Sequence, residues 1–216
     1  MQKSLTEKSV YLIQNFMMKK SVIALSAIIV SFAFVSCHKD TDQPASTNDI
    51  TGTWKFISIK AKTTNTQEVS DGPDVLKTIT SSEYTTEKNS GTLTFDGSKM
   101  STNNVSYSIN TISKSSIYEN GTLTDTFSLP VQFTAPASSG SATYKKIGAD
   151  SIYVESGSVL NNGVTQNTQG GGAKLQLEND KLYLIQSGVQ STTETDQGAT
   201  ATSTLQGTFT ITLQRQ

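Results

Sequence analysis

The sequence predicts an all-β protein, an antiparallel up-and-down barrel of 8 to 10 strands, with a two-sheet sandwich as the alternative arrangement. Three observations carry that prediction. Apolar side chains recur at every second position in short runs, the mark of a half-buried strand. Asn-Gly and Asp-Gly pairs punctuate those runs and accept the positive φ of tight hairpins. Ser and Thr make up about three in ten residues from Cys37 onward, and the branched Cβ of Thr suits a pleated surface.

Taken in order, the chain opens with a segment set aside from the fold. "MKKSVIALSAIIVSFAFVS" places Lys19 and Lys20 before an uncharged, largely apolar run from Ser21 to Ser36. A bilayer-spanning helix needs about 20 apolar residues, whereas a cleavable signal needs about 7–15 after a basic start. Residues 1–36 are therefore read as a signal peptide, with translation starting at Met1, Met17 or Met18. Residues 37–49 are polar, carry one proline and lack any apolar period, the pattern of a flexible tether. The β domain is assigned to residues 50–216.

Within it, "GTLTF" puts Leu93 and Phe95 on one face, "VSYSI" does so for Val105, Tyr107 and Ile109, and "TFTITL" for Phe209, Ile211 and Leu213. Turns are expected at Asp96-Gly97, Asn120-Gly121, Gly148 and Asn179-Asp180. Strands are expected to start near residues 53, 91, 105, 116, 127, 143, 151, 173, 181 and 206. Residues 62–90, 161–172 and 187–204 read as long polar loops, and residues 74–88 as the one place for a short helix. A membrane-spanning barrel would need an apolar outer band with aromatic girdles, and would have no use for a lipid anchor.

"FVSC", Phe34 to Cys37, resembles the lipobox of bacterial lipoproteins, in which a cysteine after an aliphatic residue and two small ones is acylated. Val35, Ser36 and Cys37 match, while Phe34 stands where Leu is usual. The resemblance implies that Cys37 is the lipid attachment site, carrying palmitate-like chains, of a Gram-negative bacterial protein. An ordinary secretory cleavage that leaves a free thiol is the alternative. His38 in place of Asp after the cysteine implies sorting to the outer membrane, facing the periplasm or the cell surface. His38, beside Cys37 on the tether, would have no rigid frame for a metal ligand, so the pair reads as an anchor.

"ITGTWKFIS" resembles the first strand of lipocalin-like lipoproteins, through Gly52, Thr53 and Trp54, and "GTFTITLQRQ" resembles their closing strand. In that family an arginine near the last strand packs over the tryptophan. The sole Trp, Trp54, opens the first strand here, and the sole Arg, Arg215, ends the last. The expectation is that they close the barrel floor, the guanidinium lying within about 6 Å of the indole. A core Trp54 with a solvated Arg215 is the alternative.

No His follows His38, which excludes Ser-His-Asp, Cys-His and imidazole-metal chemistry from the domain. "GGG" at residues 170–172 lacks the lysine and helix of a phosphate loop. The acids Asp71, Asp74, Glu83, Glu87 and Glu155 fall in polar loops or on strand surfaces and read as solvated. Beyond residue 36 the chain has 13 basic and 17 acidic residues, a net charge of -4, which attracts no nucleic acid. The expectation is a non-enzymatic, monomeric protein with no cofactor and no metal, binding a small, partly apolar ligand in the barrel mouth. Its rival is a structural or interaction module of the cell envelope that engages glycan or protein through its loops.

Overall fold

The structure is a computed structural model that describes residues 49–157, 171–196 and 198–216. The expected signal peptide (residues 1–36), the expected lipid attachment at Cys37 and the expected tether up to residue 48 lie outside the described residues, as does most of the "QGGG" loop.

Nine strands follow one another: β1 (Gly52–Asp71), β2 (Asp74–Thr85), β3 (Glu87–Phe95), β4 (Lys99–Glu119), β5 (Thr122–Lys146), β6 (Ser151–Gly157), β7 (Gly171–Glu178), β8 (Lys181–Asp196) and β9 (Ala199–Arg215). All neighbouring pairs are antiparallel, and β9 returns to pair with β1, so the up-and-down sheet closes in a ring. Closure removes the free sheet edges at that level.

β2 and β3 lie end to end between the same two neighbours. β1 meets β2 through Lys60–Asp71 and β3 through Gly52–Lys55, while β4 meets them through Lys114–Glu119 and Met100–Ser108. Nine strands therefore occupy eight positions around the ring, a size whose interior side chains fill or that holds one small ligand. The break between them is local. Lys88 (φ 49°) and Gly91 (φ 96°) bend the chain, and Thr86 bridges it to β1 by accepting from the Ile59 N–H at 2.8 Å and donating its own N–H to the Ile59 carbonyl at 2.9 Å. Gly91 is required: a Cβ there would stand 2.6 Å from the Asn104 carbonyl oxygen.

The wall has unequal height. β6 and β7 have 7 and 8 residues, whereas β1, β4 and β5 have 20, 21 and 25, far beyond the usual five or six. Three hairpins, β1–β2, β4–β5 and β8–β9, thus extend one end of the ring. The packed core sits at the other end, where Trp54, Phe56, Leu93, Phe95, Ile152, Leu182 and Leu213 are fully buried. Phe95 meets Tyr144 edge-on at 5.7 Å, and Phe56 tilts against Tyr107 at 6.2 Å.

Several expectations are corrected here. Residues 62–90 and 187–204 are hairpin arms, not loops, and residues 74–85 form strand β2 instead of a helix. Starts expected at 105 and 116 fall inside the single strand β4, and those at 127 and 143 inside β5. The reason is cross-strand pairing of hydroxyls. Ser187–Thr208, Ser191–Thr204, Thr193–Thr202 and Thr195–Thr200 face one another at 3.0 to 3.4 Å across β8 and β9. Such pairs stabilise a ladder without an apolar face, so the sequence lacks the alternation that announces a strand. Tyr84 and Tyr118, expected near loops, stand within β2 and β4.

Candidate functional site

At the core end, Trp54 and Arg215 are directly paired in the β1–β9 register. The guanidinium lies 4.5 Å from the centre of the indole, inside the range of a cation–π contact, and also donates to the Asp49 carbonyl at 2.9 Å. The indole N–H donates to the Ile50 carbonyl at 2.8 Å, and Trp54 is fully buried. Asp49 stays below the usual carboxylate range because Thr51 donates to it, from its side chain and from its N–H. The first described residue, the last strand and the sole indole are thus tied together at one end of the ring.

The opposite end is built differently. Residues paired across strands share a face, so the registers assign the inner wall row by row. Above the core, one row runs Gln186, Phe209, Ala61 and Tyr84 across β8, β9, β1 and β2. On β4 and β5 the same face carries Ile109 with Phe133 and Thr111 with Val131. This layer is a mostly apolar floor. Burial pushes the Tyr84 phenol above its ordinary pKa.

The next row is Gly188, Gly207, Thr63, Ser82, Ser113 and Leu129. Two of its six positions carry no side chain and three carry a short hydroxyl. Ser82 and Ser113 pair at 2.6 Å, and Thr63 beside them is buried. One row higher stand Gln190, Leu205, Asn65, Thr80, Ser115 and Phe127, with Thr80 and Ser115 bonded at 2.9 Å. These two rows are therefore uncharged, with short hydroxyls on β1, β2 and β4 and apolar side chains on β5. On the outer side of the same wall, Lys62, Thr64, Ser187, Val189, Gln206 and Thr208, together with Gly188 and Gly207 themselves, line a shallow depression of about 450 Å³.

The acids singled out from sequence separate. Glu83 faces Lys60 at 3.8 Å, and Glu155 is held low by Lys145, with a second bond from Thr143. Glu87 is exposed. Asp71 and Asp74 face each other at the β1–β2 turn. Among the described residues no three His, Cys, Asp or Glu side chains gather as metal ligands do.

Sequence reasoning reached Trp54 and Arg215 but missed the rows above the floor. Reading period two backward from "TFTITL" puts Leu205 and Gly207 on the inner face, but only the register brings Gly207 beside Gly188 and Thr63. Comparison with protein families, with curated proteins and with solved structures finds no match.

Proposed function

We propose that the chain is an outer-membrane lipoprotein, anchored through Cys37, whose lipocalin-like domain binds a small, partly apolar molecule without catalysis. The observation that carries this reading is the row Gly188, Gly207, Thr63, Ser82 and Ser113, where the inner wall thins directly above an apolar floor. Small wall residues leave room against the inner face at that level. Phe209, Tyr84, Val131 and Phe133 offer apolar surface below it, and hydroxyls offer a few directional contacts, the usual make-up of a small-molecule site.

The tether enters at the Trp54–Arg215 end, so the tall end would face away from the membrane. Asp49 lies twelve positions after Cys37, a reach of about 40 Å when extended. Acyl chains contribute about 0.8 kcal/mol per buried methylene, and several chains hold the protein on a bilayer.

Two experiments test the two halves of the proposal. Cys37→Ala should release the protein from membranes, and fractionation with membranes despite the change would end the anchor reading. Native mass spectrometry of the chain from a bacterial periplasm should reveal a stoichiometric extra mass that leaves on denaturation. Gly207→Leu should remove that mass, because Gly207 lacks a positive φ and the added side chain would occupy the inner face there, with circular dichroism checking that the fold survives. An unaltered mass in Gly207→Leu would place any ligand elsewhere.

A second reading, an interaction module of the envelope, is favoured by Ile112, 61% exposed on the outer face of β4. It predicts retention of a partner by the wild type and its loss with Ile112→Ser.

A further inference from the structure

We infer that the core end of the domain seats on the phospholipid surface to which the chain is anchored, with the Ile147 side chain entering the head-group layer beside the Lys146 ammonium; the inference rests on the anchor reading above. Three turns among the described residues lie at this end, residues 96–98 between β3 and β4, 147–150 between β5 and β6, and 179–180 between β7 and β8. Asp49 lies there too, its carbonyl holding Arg215 at 2.9 Å. The Asp49 carboxyl is kept low first by its bonds from Thr51 and in smaller part by the charges of Lys146 and Arg215. The β5–β6 turn thus stands near the point where the tether joins the domain.

Every residue from Lys145 to Asp150 is exposed, and the tip of the turn is apolar, with Ile147 (41% exposed) followed by Gly148 and Ala149. The other large apolar side chains that are exposed lie on the tall arms of β4, β5 and β8, so Ile147 is the one at the tether end among the described residues. The base of the turn is pinned. Ile147 donates its N–H to the Ser151 carbonyl at 3.0 Å, Leu175 donates to the Asp150 carbonyl at 2.6 Å, and Lys145 pairs with Glu155. A side chain presented on a pinned turn loses little freedom on entering a surface.

Charge at this end complements lipid phosphate. Each of the three turns carries an aspartate, and each aspartate is engaged. Asp96 accepts from the N–H groups of Ser98 and Lys99, Asp150 faces Lys174 at 3.7 Å, and Asp180 accepts from Gln214 at 2.8 Å. Lys146, and Lys99 opposite Thr143 across β4 and β5, make no ion pair with another described residue. Two ammonium groups beside an exposed apolar tip have the make-up of an interfacial segment, in which apolar burial and attraction to anionic lipid act together. The tether, about 40 Å at full stretch, keeps the turn within reach of the bilayer, so even a weak contact is populated.

Once acylated, the chain has no free thiol, since Cys37 is its sole cysteine. Ala149→Cys therefore supplies a single site for a bimane label at the turn, and Val189→Cys supplies one on the tall β8 arm. The acylated, labelled proteins are reconstituted in vesicles of phosphatidylcholine and phosphatidylglycerol that contain brominated lipid, and quenching of the label is read. Quenching should be several-fold stronger at Ala149→Cys than at Val189→Cys. Adding Ile147→Ser to Ala149→Cys should lower the ratio of seated to free domain roughly tenfold, through the apolar burial it removes, and Lys146→Gln or omission of phosphatidylglycerol should lower it several-fold. Equal quenching at the two sites, or quenching at Ala149→Cys that Ile147→Ser leaves unchanged, overturns this inference, while sedimentation with the vesicles keeps the anchor reading. A label at Ala149→Cys that is shielded from water yet unquenched means that protein, such as a second copy of the chain, covers the turn, and overturns it as well. A chain that stays in solution refutes the anchor reading and this one with it.

Discussion

Replacing Arg215 with Met tests whether the ring is latched where its first and last strands meet. Met keeps an apolar stem over the indole but removes the guanidinium, and with it the 4.5 Å cation–π contact and the bond to the Asp49 carbonyl. Because Arg215 is exposed, the contact contributes about 0.5–1 kcal/mol, the lower part of the cation–π range. The hydrogen bond adds about 0.5 kcal/mol after competition with water. The sum, about 1–1.5 kcal/mol, corresponds to a fall in Tm of about 2–6 °C for a domain of this size.

Trp54→Ala is a different perturbation. It empties a fully buried site and frees the Ile50 carbonyl, at about 3–5 kcal/mol. Thermal and urea unfolding followed by circular dichroism would measure both. The decisive quantity is the coupling in a cycle of Arg215→Met with Trp54→Leu, since Leu keeps the packing but offers no π face. Arg215→Met should be about 0.5–1 kcal/mol milder in the Trp54→Leu background. Equal effects in both backgrounds would mean that the guanidinium and the indole are merely adjacent, held by the seventeen-position β1–β9 ladder.

Three further outcomes follow from the same packing. Ser82→Ala should destabilise the domain by about 1–3 kcal/mol by orphaning the buried Ser113 hydroxyl, and the double substitution with Ser113→Ala should cost less than the sum of the single changes, as chemical denaturation would detect. Gly91→Ala should sharply lower Tm and soluble yield: the φ of 96° alone costs about 1–3 kcal/mol, and the new Cβ would stand 2.6 Å from backbone. In an alkaline absorbance titration, Tyr84 and Tyr144 should ionise above the ordinary tyrosine range, since burial raises both pKa values. A raised folded-state value means that their share of stability is intact below the unfolded tyrosine pKa of about 10 and is lost as pH rises through the folded value. Tyr84→Phe should therefore flatten the fall in stability above that pH, and an unchanged alkaline profile would count against its desolvation.

The sequence by itself determined which side of each short strand faces inward. Leu93 with Phe95, and Phe209 with Ile211 and Leu213, alternate cleanly because one face meets the core and the other meets water. It also determined the hairpin turns: Asn120 and Asn179 adopt the positive φ that their side chains tolerate, and Gly97 and Gly121 do so without a Cβ. It placed the sole indole and the sole guanidinium at the two ends of the domain, where closure of the ring pairs them.

Tertiary structure alone decided the rest. The arms of β1–β2 and β8–β9 read as loops because Ser and Thr face both ways, and only pairing across strands gives several of them a hydroxyl partner. Registers shift at bulges between Phe56 and Ser58 and between Thr102 and Tyr107, and a single-residue slip would turn a whole strand inside out. The meeting of Thr63 with Gly207 depends on the shift in β1. Its physical origin is long-range pairing between segments far apart in the chain, which no local pattern of side chains encodes.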